Sequence, residues 1–143
     1  MTTLTTRLVH RPDASEFLLE NENATGHKNV MDAGPSAGGK DQGFRPMEML
    51  LAGIAGCSSV DILLILKKGR QTVRDLQVHI EADRAEADPK VFTRIHLHYT
   101  VHGDVTEKRL EDAIRLSIDK YCSAAAMLSK TASLETSFSL NPV

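Results

Sequence analysis

A chain of 143 residues with 41% hydrophobic and 25% charged residues is long enough for one domain with its own core. A formal net charge of −2 without a basic cluster gives no electrostatic handle for nucleic acid or an anionic membrane. Residues 1–10 lack an apolar signal core, so the expected compartment is the cytoplasm, where two cysteines mean chemistry or simple packing.

Leu4 and Leu8 against threonines predict a first strand over residues 2–9, followed by a turn at Arg11-Pro12-Asp13. Residues 16–20 and 27–33 are two further short strands, separated by the turn-forming run 21–26. Residues 34–43 are rich in glycine and polar side chains and predict a mobile loop. Residues 46–66 then form the dominant feature, a helix with Pro46 just inside its start and Lys67, Lys68 and Gly69 at its end. It is apolar almost all round, which predicts burial in a core, and Cys57-Ser58-Ser59-Val60-Asp61 interrupts it too strongly for a membrane span.

Leu76, Val78, Ile80 and Ala82 alternate with polar residues, as do Ile95, Leu97, Tyr99 and Val101, predicting a hairpin of two half-buried strands. Thr106 caps a second helix with Leu110, Ala113, Ile114, Ile118 and Tyr121 on its apolar stripe, leading to Cys122. Residues 123–128 continue that helix or form a bent second piece, and Leu134, Thr136, Phe138 and Leu140 mark a last strand. The fold class is α+β in a single domain, residues 1–143.

The candidate chemistry centres on Cys57. On its helix it neighbours Gly53, Gly56, Val60, Asp61 and Leu64, so small residues flank it and a carboxylate lies one turn on. A cation from elsewhere is needed to activate the thiol, and a buried cysteine also serves as a plain small hydrophobe. Cys122, on the other core helix, comes within disulfide range if the two helices pack side by side. His96, His98 and His102 share the polar parity of their strand; a His-x-His pair binds zinc or copper, but a solvated face explains it as well, and Arg94 beside it opposes a cation. His27 lies near the flexible loop and fits either a site wall or a loop edge.

The run Arg45-Pro46-Met47-Glu48-Met49-Leu50-Leu51-Ala52-Gly53-Ile54-Ala55-Gly56-Cys57-Ser58, with the later Lys120-Tyr121-Cys122-Ser123, resembles the two cysteine motifs of the OsmC/Ohr family, most closely its YhfA-like branch. The resemblance implies an intertwined homodimer, with antiparallel sheets around two long central helices and sites near the subunit interface. It also implies a thiol-dependent peroxidase, in which Cys57 attacks a hydroperoxide, preferably organic, and Cys122 resolves the sulfenic acid as a disulfide. An external dithiol, in parts of the family a lipoyl group, then reduces it, and no metal or organic cofactor is required. Peroxidase members carry a Glu directly after the Pro, paired with an Arg, whereas here Met47 holds that place and the acid is Glu48. Glu48 lies about 13 Å of helical rise from Cys57, and a first-turn acid also simply suits the helix dipole. Arg7 and Arg45 are the candidate activating cations, although a surface-paired arginine fits each equally. The Met47 departure leaves a second reading open, a non-enzymatic protein binding a small apolar ligand at the subunit interface.

Overall fold

The computed structural model of the chain describes residues 1–143, which form two compact units, Met1–Leu50 and Leu51–Val143. In the first, β1 (Leu4–Leu8), β2 (Leu19–Asn23) and β3 (Lys28–Met31) make an antiparallel sheet in that order. Strand β2 lies later than its composition suggests and runs into the polar stretch expected to be turn. The reason is a row of cross-strand partners: Thr6 Oγ1 donates to Asn21 Oδ1 at 2.7 Å and Asn21 Nδ2 donates to Asn29 Oδ1 at 2.8 Å. Those bonds satisfy a buried amide inside a strand, where apolar alternation gives no signal.

The glycine-rich loop is tied down, contrary to the mobile segment expected. Asp32, 1% exposed, accepts N–H bonds from Lys40 at 2.9 Å and Gln42 at 3.2 Å, and Gln42 Oε1 accepts from the Ser15 N–H at 2.8 Å. Burial raises the Asp32 pKa, but the Lys40 N–H, the Ser15 hydroxyl and the Gln42 N–H outweigh it and hold the carboxyl below its usual value. Gly39 lets the loop close, because a Cβ there would lie 1.7 Å from the Ala33 carbonyl oxygen.

Helix α1 (Pro46–Lys68) leads into the second unit. It ends one residue later than the glycine suggests: Arg70, not Gly69, takes the left-handed conformation at φ 60°. Arg70 N–H bonds to Lys67 O at 3.0 Å and Gln71 N–H to Leu66 O at 2.9 Å, which satisfies the last carbonyls. Strands β4 (Thr72–Arg84) and β5 (Phe92–Asp104) form the expected antiparallel hairpin, and β6 (Ser133–Leu140) joins the far side of β5. That last pairing is parallel, a correction to a wholly antiparallel sheet; the helical crossover between β5 and β6 returns the chain to the starting end.

The crossover contains α2 (Glu107–Leu116), a π-helical turn (Ser117–Tyr121) and α3 (Ser123–Leu128). Thr106 Oγ1 accepts the Arg109 N–H at 3.3 Å, the predicted cap. Only α1 is a long helix; the second cysteine element is broken into short pieces. The core of this unit consists of Ile95, Leu97, Tyr99 and Val101 from β5, Leu110, Ala113 and Ile114 from α2, and Ile54, Ile62 and Leu66 from α1.

Helix α1 is long and apolar enough to cross a membrane by length and composition. The expectation that it is buried all round fails. It buries a narrow stripe, Ile54, Ser58, Ile62 and Leu66, four residues apart, while Leu50, Val60 and Leu64 are 46%, 57% and 51% exposed.

Replacing Gly39 by Ala is expected to lower stability by more than about 2 kcal/mol, since backbone must move to admit the methyl group. A denaturant midpoint equal to the parent's would show that Asp32 does not hold this loop in one conformation.

Candidate functional site

Ser58 sits at 0% exposure in the buried stripe of α1, directly after Cys57. A hydroxyl at that position must find partners. Tyr99 Oη of β5 donates to Ser58 Oγ at 2.7 Å, and Ser58 Oγ is placed to donate to Ala55 O at 3.3 Å. From the π-turn, Ser117 Oγ lies 3.3 Å from Ser58 O and 3.0 Å from Asp61 Oδ2, both acceptors for its single proton. Helix α1, β5 and the π-turn are therefore cross-bonded within one turn of Cys57.

The π-turn explains the position of Cys122. After Ser117 an α-helix would carry residues 120 and 121 toward the core, the phase that placed Tyr121 on the predicted stripe. The wider turn bonds Cys122 N–H to Ser117 O at 2.7 Å, five residues back. Cys122 consequently points inward at 2% exposure, and Tyr121 is turned out at 52%. The backbone leaves the helix at Cys122, and its Sγ accepts the Ala125 N–H at 3.3 Å as the cap of α3.

The two cysteines are neighbours, the Cys57 side chain lying within hydrogen-bond reach of Cys122, and both are free thiols, Cys57 half-buried and Cys122 buried. Burial pushes the Cys122 thiol up to about 11; the Ala125 N–H opposes the shift, and the adjacent Cys57 side chain adds to it. Tyr99 is pushed up to about 12, first by burial, with the Ser58 bond acting against it and the charge Cys122 would carry acting with it.

The other candidate residues each have identifiable partners within their own unit. Glu48 Oε1 accepts the Arg45 backbone N–H at 2.7 Å, the reach-back bond of a capping box at the start of α1. Arg45 bonds Asp41 Oδ1 and Gly43 O, each at 3.1 Å. Arg7 lies on β1 and pairs with Glu22 at 3.7 Å. His96 and His98 both reach Ser137 Oγ, at 2.9 and 2.6 Å, and His98 also reaches Ser139 at 3.0 Å. His102 lies 3.4 Å from Pro142 O, and His27 is exposed beside Thr25 Oγ1 at 3.0 Å. These histidines are occupied by serine, threonine and backbone oxygens.

Sequence reasoning missed Ser58, Tyr99, Ser117 and Asp61 as a connected group. The usable signal was Ser58 itself, a hydroxyl at the fourth-residue spacing of an otherwise aliphatic stripe.

Residues 39–137 match the family model described as OsmC-like protein. The chain belongs to the OsmC family. It is 41% identical over 118 residues to Protein YhfA of Escherichia coli K12, covering 82% of this chain and 85% of that one. A solved structure of a hypothetical protein from Aquifex aeolicus VF5 superposes with TM-score 0.84 at 33% identity, over 99% of this chain and 96% of that one. An organic hydroperoxide resistance protein from Legionella pneumophila shares the fold at TM-score 0.71 and 17% identity, over 97% and 96% of the two chains. The α+β architecture read from the sequence is thus the OsmC fold, a fold shared with proteins named for organic hydroperoxide resistance.

Two measurements test the site's electrostatics and packing. Labelling of Cys122 by iodoacetamide is expected to be slow at neutral pH and to rise with pH toward about 11, because only the thiolate reacts. A labelling plateau below pH 9 would contradict the burial effect. Tyr99→Phe is expected to cost about 1 kcal/mol, and adding Ser58→Ala to cost less than the sum of the single changes, because one bond is lost twice. Strict additivity in that cycle would remove the Tyr99–Ser58 bond as a contributor.

Proposed function

We propose that this protein is a dimeric, cysteine-based peroxidase that reduces hydroperoxides, preferably organic ones, as part of stress defence. The observation that carries the reading is the adjacency of Cys57 and Cys122, brought about by the π-turn. The Cys57 thiolate attacks the distal peroxide oxygen, the O–O bond breaks, and the departing alkoxide takes a proton to leave as alcohol. Cys57 is then a sulfenic acid. The Cys122 sulfur attacks it, forming the Cys57–Cys122 disulfide and releasing water. A dithiol, such as a lipoyl group, returns both sulfurs to thiols in the cytoplasm, and no metal or organic cofactor enters these steps.

Cys122, buried and protonated at neutral pH, is a poor first nucleophile for peroxide and gives up its proton when it attacks the sulfenic acid. For Cys57, an activating arginine from Arg7 or Arg45, with Glu48 behind it, is part of the proposal. The role of Glu48 as a helix cap favours a second reading for the same site, in which a small apolar ligand occupies the subunit interface and peroxide turnover is weak.

Support for the dimer comes from α1. Its outward face carries Gly53, Gly56, Val60 and Leu64, and a Cβ on either glycine would meet no atom within 4 Å inside this chain. Small residues beside aliphatic ones permit a second copy of α1 to pack at close range. Sedimentation is expected to give twice the 15.7 kDa of one chain, and Val60→Glu is expected to reduce it to the monomer. A monomeric parent protein would remove the interface from the proposal.

The peroxidase test is a titration of the reduced protein with cumene hydroperoxide and, separately, hydrogen peroxide. Expected is the loss of both thiols in a one-to-one reaction, a Cys57–Cys122 peptide by mass, and no reaction in Cys57→Ser. Thiols that survive, or that oxidise no faster than free cysteine, would leave the ligand-binding reading in its place.

A further inference from the structure

Alternation along β5 and β6 sends one set of side chains into the core and the other to the outer face of the sheet. The parallel register sets the outer ones abreast: His98 is opposite Ser137, Thr100 opposite Ser139, and His96 opposite Glu135. Tyr99, between His98 and Thr100, points the other way, toward Cys122. The outer face is thus separate from the thiols. Glu135 accepts a bond from Arg94 Nε at 3.0 Å, so His96 and His98 bond hydroxyl groups rather than this carboxylate.

Ser137 Oγ lies 2.6 Å from His98 Nδ1 and 2.9 Å from His96 Nε2, and His98 Nε2 lies 3.0 Å from Ser139 Oγ. Ser137 has one proton to give, so one ring accepts it while the other donates to the oxygen. Neutral rings satisfy all three bonds when His96 Nε2–H donates to Ser137, Ser137 donates to His98 Nδ1, and His98 Nε2–H donates to Ser139. The opposite direction makes His96 the acceptor, but over the longer bond and without Ser139 behind it. A hydroxyl against a base whose far nitrogen is held by a third group is the arrangement of an activated nucleophile. It is also reachable: Ser137, His96 and His98 are half-buried rather than enclosed, and β6 is an edge strand. A cleft of about 560 Å³ runs along that edge with Ser137 on its wall and apolar surface from Ile114, Leu134 and Phe138.

We propose that Ser137 is a second nucleophile, independent of the thiols, which takes acyl groups from activated esters with His98 as its base. In the first step Ser137 Oγ bonds to the ester carbonyl carbon while its proton passes to His98 Nδ1; the ester C–O bond breaks, and the leaving alcohol takes that proton. In the second, water attacks the acyl group with His98 again accepting the proton, the acid departs, and the Ser137 hydroxyl is restored. Ester and water become acid and alcohol. His96 Nε2–H is the one ring donor at Ser137 Oγ, too little for an oxyanion hole that would drive amide cleavage. The substrate class is therefore an ester whose leaving group departs readily, such as an aryl ester with a short apolar acyl chain.

The test mixes the reduced full-length protein with 4-nitrophenyl acetate. Nitrophenolate release reports the rate, and peptide mass after acid quenching locates the acetyl group. Thiols and lysines also acetylate, so the location decides. Expected is an acetyl group on Ser137, with a burst of nitrophenolate that Ser137→Ala removes while its circular dichroism stays that of the parent. His98→Asn keeps an amide oxygen to hold the hydroxyl but cannot carry its proton, and should slow acetylation of Ser137 about 10²-fold. His96→Gln should slow it less. Acetyl groups found only on cysteines and lysines of the unaltered protein overturn the proposal, whatever the variants do. A His98→Asn protein that acetylates Ser137 at the parent rate, or a larger loss in His96→Gln, overturns the assignment of His98 as the base.

Discussion

Placing Ser58 in the buried stripe of α1 forces three elements to meet. A serine hydroxyl without a partner in an apolar core costs about 1–3 kcal/mol, so the stripe is tolerable only where β5 presents Tyr99 at 2.7 Å. The Ser58 carbonyl and Asp61 in turn face Ser117, where α2 gives way to the π-turn. The position of Cys57, one residue before Ser58, and of Cys122, five after Ser117, follows from these bonds. The thiols are located by the hydrogen bonds of neighbouring hydroxyl groups.

The chain treats its two thiols differently with very few residues. Cys57 lies on a rigid helix between a buried stripe and an exposed apolar face, open enough to be reached. Cys122 is buried, caps a short helix with its sulfur and is held protonated. This asymmetry in exposure arises from local structure alone, apart from any family resemblance. Arg45 and Glu48 are engaged in starting α1, so the start of the helix and its thiol are linked through the helix itself.

What the sequence made legible was the periodic part. The hairpin β4–β5, the cap at Thr106 and the extent of α1 all follow from alternation, capping and apolar spacing, because there one face meets a core. The failures have separate causes. Strand β2 is stabilised by Thr6, Asn21 and Asn29 through amide and hydroxyl bonds that hydrophobic periodicity does not register. The loop closing on Asp32 looked unstructured because its order comes from one carboxylate and backbone N–H groups. For α1, uniform apolarity could not distinguish a core from a surface awaiting a partner. A constant helical period puts Tyr121 on the core face, and the π-turn does not keep that period.

The π-turn makes chain length a constrained quantity. In a regular helix, exchanging one side chain alters one contact; between Ser117 and Tyr121, adding or removing a single residue rotates everything after it by about 100°. Removing one residue would set the thiol where the phenol now stands, and adding one would set the phenol where the thiol stands, with the composition nearly untouched. A chain that lacked one residue here would present a different side chain to Cys57. The spacing from Ser117 to Cys122 is therefore a more informative feature than the identity of any residue between them.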